Sequence, residues 1–127
     1  MTRTRFAMTA GMFLAAAATA NAQVVISQVY GGGGNSGAPI KHDFIEIYNK
    51  GATAVDISGW AVQYASATGS TWAVTAIPTG VSLQPNGYYT IREAAGAGAV
   101  PDSVADLTTG TITMAAGAGK AALTSNS

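Results

Sequence analysis

The groups that could carry catalysis are few in this chain. It has one histidine, His42, and no cysteine. His42 precedes Asp43, but neighbouring residues on a strand point to opposite faces of a sheet, so local geometry does not bring them together. No nucleophile elbow is present to complete a Ser-His-Asp arrangement. We therefore predict no catalytic residue and interpret His42 as a surface residue at a strand entrance.

The carboxylates Asp43 and Glu46 are the next candidates. Three residues apart on a strand, they face opposite ways, so they cannot act as an acid–base pair. Glu46 shares its face with Phe44 and Tyr48, and a carboxylate between two aromatics needs a partner or solvent. We favour a structural role, with Glu46 accepting hydrogen bonds from a neighbouring turn. The alternative is one ligand of a Ca²⁺ site, but the six to eight oxygens that Ca²⁺ requires have no carboxylate cluster to supply them. No metal-binding or cofactor-binding residue is predicted.

A glycine-rich stretch, Gly31–Pro39, tests for a phosphate-binding loop. Such a loop opens a helix whose N-terminal amides hold the anion. Here Pro39 and then a second strand pattern follow, so a flexible connection is the better interpretation. Gly119-Lys120 also fails as a P-loop, because Ala121 stands where Ser or Thr is needed. The pentapeptide at 94–98 recurs at 115–119, which we interpret as two loops of similar composition, since a repeat array needs longer units and at least three of them.

The N-terminus has the organisation of an export signal. Arg3 and Arg5 precede an apolar run, Phe6–Ala18, of about a dozen residues, which is too short to span a bilayer. Small residues at Ala20 and Ala22 then match a signal peptidase site. We predict a signal peptide over residues 1–22, with cleavage between Ala22 and Gln23, a secreted or periplasmic domain over residues 23–127, and no transmembrane anchor.

The charge of the predicted mature chain limits its partners. Four basic residues stand against six acidic ones, a net charge of −2. A surface without a basic cluster argues against binding to a phosphate backbone, which needs several Lys or Arg on one face. Without cysteine, the core alone must hold the exported domain together.

The remaining pattern is that of an all-β domain. Short runs rich in Val, Ile, Thr and aromatics alternate with clusters of turn-forming residues, which favours a sandwich or barrel. The predicted strands are Val24–Tyr30, Asp43–Asn49, Trp60–Tyr64, Thr71–Thr75, Tyr88–Arg92, Thr111–Ala115 and Lys120–Thr124, with a short extra one at Val81–Leu83. The core candidates are Phe44, Ile45, Ile47, Trp60, Val62, Tyr89 and Ile91. We interpret most aromatics as core or interface residues, since no Lys or Arg is interleaved to form a platform for bases or sugars, and expect Trp72 to be exposed.

Four segments carry a family resemblance. They are Val25–Tyr30, Asp43–Asn49, the corner Asp56–Trp60, and Tyr89–Arg92 with the glycines after it. Together they resemble the bacterial lamin tail domain, an immunoglobulin-like β-sandwich. The resemblance implies a domain without catalytic residues, commonly placed at the N-terminus of exported proteins that carry a metal-dependent nuclease or phosphatase. It also implies further strand residues after Thr124, so we expect this chain to lack the last strand of the sandwich.

Three functions are compatible with these observations. The first is a secreted, non-catalytic module for binding or tethering. The second is the leading fragment of an exported metal-dependent nuclease or phosphatase that this domain positions. The third is a free-standing adhesin-like surface protein. The partner, whether a protein, a nucleic acid or a cell-surface ligand, is not specified by the sequence.

Overall fold

The computed structural model describes residues 22–125, which form eight strands and no helix. The predicted signal peptide therefore lies outside the described residues, apart from Ala22 at its end. The strands are β1 (Val24–Tyr30), β2 (His42–Asn49), β3 (Val55–Asp56), β4 (Ala61–Ser66), β5 (Ala73–Ala76), β6 (Ser82–Leu83), β7 (Tyr88–Ala95) and β8 (Gly119–Thr124).

Two antiparallel sheets and a short ribbon make up the domain. The first sheet has the order β1-β2-β7, the second has the order β5-β4-β8, and β3 pairs with β6. Strand β1 contacts β8, and Thr75 of β5 is hydrogen-bonded to Glu93 of β7. The two sheets therefore pack face to face, with β1 beside β8 at one edge and β7 beside β5 at the other, as in an immunoglobulin-like β-sandwich. The predicted all-β fold class is confirmed.

Strand β2 shows how the sequence builds this architecture. Its residues are alternately buried and half-buried, with Ile45 and Ile47 fully buried. The alternation follows from the two-residue period of a strand with one face on the core and one toward solvent. Ile45 pairs with Val29 of β1 and with Ile91 of β7, and each ladder has one register shift, between Ile26 and Gln28 in the first and between His42 and Phe44 in the second.

The core lies between the sheets, and most of the predicted core residues are in it. Ile45, Ile47, Val62 and Ile91 are each 0% exposed, and Trp60 and Tyr89 are partly buried against the cluster. Phe44 is not in this core. It is half-buried on the opposite face of β2, because a residue between Asp43 and Ile45 must point away from the face that these two share.

The corner before β4 is fixed by short polar contacts. The amide of Ser58 donates to Asp56 Oδ1 at 2.9 Å, and the amide of Gly80 donates to Ser58 Oγ at 2.9 Å. Hydrogen bonding from the side chain of Ser58, and then from its amide, lowers the pKa of Asp56. Gly59 has φ of 75°, a conformation that favours glycine. The corner positions Trp60 at the edge of the core. There its side chain lines an apolar groove of about 730 Å³ between β1 and β8.

One predicted strand is absent, and one observed strand was not predicted. The short strand Val55–Asp56 was missed, since two residues carry no periodic pattern. Residues 111–115 form no strand, although Ile112 and Met114 are buried there. Their amides donate to the carboxylates of Glu93 and Asp43 instead of to a neighbouring strand. The amides of this segment are therefore satisfied by side chains, whereas the carbonyls of Ile112 and Met114 accept the backbone amides of Ala94 and Gly32.

Candidate functional site

Asp43 is a buried structural group. It is 3% exposed and faces the interior with Ile45. Its Oδ1 accepts the amide of Gly33 at 2.7 Å, and its Oδ2 accepts the amide of Met114 at 2.6 Å. The side chain thus joins the glycine-rich loop to segment 111–115, and both of its oxygens are committed to the fold.

Glu93 plays a parallel part, which the sequence analysis did not foresee. It is 2% exposed, and its Oε2 accepts the hydroxyl of Thr75 at 2.9 Å and the amide of Ile112 at 3.0 Å. Burial raises the pKa of Glu93, and the nearby charge of Asp43 raises it further. The available signal was position: Glu93 follows Ile91 by two residues, so it shares the core-facing side of β7.

These positions decide what acid–base chemistry is open to the chain. Asp43 and Glu93 are enclosed and hydrogen-bonded, whereas Glu46 faces the other side of the sheet. Among residues 22–125, no group of three or more His, Cys, Asp or Glu side chains is placed to hold a metal ion. The described carboxylates therefore form no shared, accessible site.

His42 takes part in a small ion-pair cluster at the end of the first sheet. Its Nδ1 lies 3.4 Å from Asp102 Oδ1, and Arg92 lies 3.5 Å from the other oxygen of Asp102. Lys41 donates its amide to the carbonyl of Pro101 at 3.0 Å in the same region. These contacts place the loop after β7 beside the start of β2, where the His42 ring lies near Asp102.

The glycine-rich loop is packed between the two similar pentapeptides. A side chain on Gly34 would meet the backbone of Gly96, and one on Gly31 would meet the carbonyl of Ala115. Gly32 and Gly34 also have φ of 76° and 69°. The recurring small residues at 94–98 and 115–119 therefore allow three loops to approach closely at one end of the sandwich. The glycines therefore serve the packing of these three loops against one another.

The solvent-facing side of the first sheet is the most distinctive surface of the molecule. We call it the outer face and define it by nine side chains in three rows across β1, β2 and β7. The rows, which follow the strand register, are Tyr30, Phe44 and Arg92; Gln28, Glu46 and Thr90; and Val25, Tyr48 and Tyr88.

Aromatic pairs occupy two rows of the outer face. Tyr30 stacks on Phe44, with ring centroids 5.4 Å apart and planes at 10°. Tyr48 contacts Tyr88 at 4.6 Å, and its hydroxyl donates to Asn86 Oδ1 at 3.0 Å. Tyr88 is 58% exposed. Of the two predicted locations, core or interface, these four aromatics therefore do not occupy the core between the sheets.

Glu46 stands between the two aromatic rows. Its Oε1 accepts the hydroxyl of Ser27 at 2.8 Å, and its Oε2 accepts that of Thr90 at 3.3 Å. The predicted structural role as an acceptor is thus right, but the donors belong to β1 and β7 and not to a turn. A register shift in β1 between Ile26 and Gln28 aims Ser27 at the carboxylate.

Trp72 lies on a separate surface, on the second sheet. It is 39% exposed, as expected, and the ammonium of Lys120 lies 5.7 Å from its ring centroid. Lys120 also donates to the carbonyl of Gly69 at 2.5 Å. The ring of Trp72 therefore already has a cation from the same chain, Lys120, against it.

The comparison with protein families fits this architecture. The family model described as Lamin Tail Domain matches residues 17–127, which is most of the chain. The chain therefore belongs to the lamin tail domain family, whose β-sandwich is a non-catalytic module often used for binding or tethering. A search of curated proteins found no match. Within the described residues, no helix is long and apolar enough to cross a membrane.

Proposed function

We propose that this chain is an exported, non-catalytic lamin tail domain that binds or tethers through the outer face of its first sheet. The observation that carries the proposal is the arrangement of that face in rows, with one aromatic pair on each side of Glu46. Tyrosine, phenylalanine and arginine are enriched in protein interfaces, and tyrosine supplies a large contact area at a low cost in conformational entropy.

The fate of the carboxylates supports the non-catalytic part of the proposal. A general acid or base must reach the proton it transfers. Asp43 and Glu93 are buried and accept hydrogen bonds from backbone amides and a hydroxyl, and the side chain of His42 is only 14% exposed beside Asp102. These groups have structural roles in the sandwich. The side chains that the first sheet presents to a partner are the aromatic rows of its outer face.

Export is the second element of the proposal, and its support is the order of charged, apolar and small residues over 1–22. After expression of the full 127-residue chain, the protein in the medium or periplasm should begin at Gln23. Intact-mass measurement of that protein decides the matter. A cytoplasmic protein that retains Met1 would contradict export and cleavage.

Tethering is tested by retention at the surface of the producing cell. The full chain with an epitope tag is expressed alongside Tyr88→Ser and, as a matched control, Trp72→Ser on the other sheet. We expect the wild type and Trp72→Ser to be retained on washed cells and Tyr88→Ser to be released, with similar melting temperatures for all three. Release of the wild type, or equal retention of Tyr88→Ser, would contradict a tether through the outer face.

A further inference from the structure

The position of Glu46 narrows the chemistry of the partner. Side chains two residues apart on one face of a strand are about 7 Å apart, so Phe44 and Tyr48 flank Glu46 at that spacing along β2. The carboxylate is thus the centre of the outer face, with an aromatic row on each side.

The partners of Glu46 orient its carboxylate without neutralising it. Ser27 and Thr90 each donate one hydroxyl, to different oxygens. Hydroxyls carry no charge, and an ionised carboxylate has about four acceptor positions, so both oxygens can still accept. The two contacts hold the side chain in place for an incoming donor.

We infer that the outer face binds a polypeptide partner that presents an arginine side chain to Glu46. A guanidinium matches a carboxylate with two parallel N–H donors. A guanidinium bound to Glu46 would lie between the rings of Phe44 and Tyr48. Aromatic rings attract cations within about 6 Å of the ring centroid, so both rings would be near enough to contribute. This inference rests on the proposed function, since it names the chemistry of the same surface.

Charge favours a basic partner over an anionic one. The predicted mature chain has a net charge of −2, and Arg92, the only cation of the outer face as defined, is 3.5 Å from Asp102. A neutral glycan is less well matched, because it offers no positive charge to the carboxylate at the centre of the face.

The test uses the protein purified after expression of the full chain and two capped pentapeptides, Gly-Gly-Arg-Gly-Gly and the same peptide with citrulline, an uncharged isostere. Chemical-shift titration reports where each peptide binds. We expect the arginine peptide to shift Glu46, Phe44 and Tyr48, and the citrulline peptide to bind about tenfold more weakly. Glu46→Gln should abolish the difference, whereas Asp56→Asn, which removes one charge from a distant corner, should keep it.

Several results would overturn the inference. They are equal shifts with both peptides in the wild type, a preference for the arginine peptide that persists in Glu46→Gln, shifts away from the outer face, or tighter binding of a neutral oligosaccharide. Self-association that Glu46→Gln abolishes would also overturn it, since the partner would then be a second copy. Cell retention separates the two proposals: loss with Tyr88→Ser but not with Glu46→Gln keeps the tether and rejects the arginine, whereas no retention of the wild type rejects the tether itself.

Discussion

Single residues in this domain take their roles from the face on which they lie. Three acids on two strands illustrate this: Asp43 and Glu93 are enclosed, whereas Glu46 is half-buried on the outer face. Sequence reasoning correctly separated Asp43 from Glu46, because strand periodicity alone decides it. It did not identify the partners of the enclosed pair, since the amides of Gly33, Met114 and Ile112 come from segments distant in the chain.

Glu93 gives the domain a specific pH dependence. Its pKa is raised above the ordinary 4.5, mainly by burial, so the folded state holds the proton more tightly than the unfolded state. The resulting stabilisation is complete below pH 4.5 and is lost as pH rises through the folded-state pKa. We predict that the difference in unfolding free energy between the wild type and Glu93→Gln changes across this window in that direction.

Denaturant midpoints of both proteins, measured from about pH 4 upward, check this prediction. The side-chain oxygen of the introduced glutamine can still accept from Thr75 and Ile112, so the variant should fold and lack only the titration. Parallel pH profiles for the two proteins would show that Glu93 titrates alike in the folded and unfolded states.

At the scale of the elements, most strands could be predicted because their apolar residues alternate. The bounds of β1 agree with the predicted Val24–Tyr30, and β2, β7 and β8 differ only at their ends. Segment 111–115 was mistaken for a strand, since alternation at Ile112 and Met114 marks burial but does not supply a neighbouring ladder. Phe44 is predicted in the core because it is hydrophobic. Its position between two core-facing residues instead puts its side chain on the other face of β2.

The two faces of β2 should respond differently to truncation. Ile45→Ala removes a side chain that is 0% exposed and should cost about 2–5 kcal/mol. Phe44→Ala removes a half-buried ring whose stacking on Tyr30 contributes about 0.5–1.5 kcal/mol beyond the buried area, and its total cost should stay below that of Ile45→Ala. Urea unfolding of the two variants measures both values. An equal or larger loss for Phe44→Ala would place that ring in the core after all.

The segment that carries Ile112 should tolerate no added bulk where it crosses β7. A side chain at Gly110 would collide with the Glu93 carboxylate and the carbonyl of Arg92, whereas one at Gly117 would meet open space. We predict that Gly110→Ala lowers the free energy of unfolding by about 1–3 kcal/mol and that Gly117→Ala leaves it nearly unchanged. Thermal melts of the pair test this, and equal melting temperatures would mean that the crossing is not tightly packed.

In the whole molecule, the buried acids and the apolar core lie between the sheets, and the aromatic rows lie on the outer face of the first sheet. The family could be recognised from the opening strand, β2 and the Trp60 corner, because these local patterns recur together. The outer face could not be recognised, since it joins Tyr30, Phe44, Tyr48 and Tyr88 from three strands, and their pairing depends on the register between β1, β2 and β7. Its aromatic residues and Arg92 belong to types enriched in protein interfaces, and the proposed binding through this face rests on that composition.

Oxidative footprinting of the purified protein, free and bound to producing cells, tests that claim most directly. Tyr88 is 58% exposed on the outer face and Trp72 is 39% exposed on the second sheet, so both should be labelled in the free protein. We predict that cell binding sharply reduces the labelling of Tyr88 and leaves that of Trp72 unchanged. Protection of Trp72 with full labelling of Tyr88 would contradict the account and move the binding surface to the other sheet.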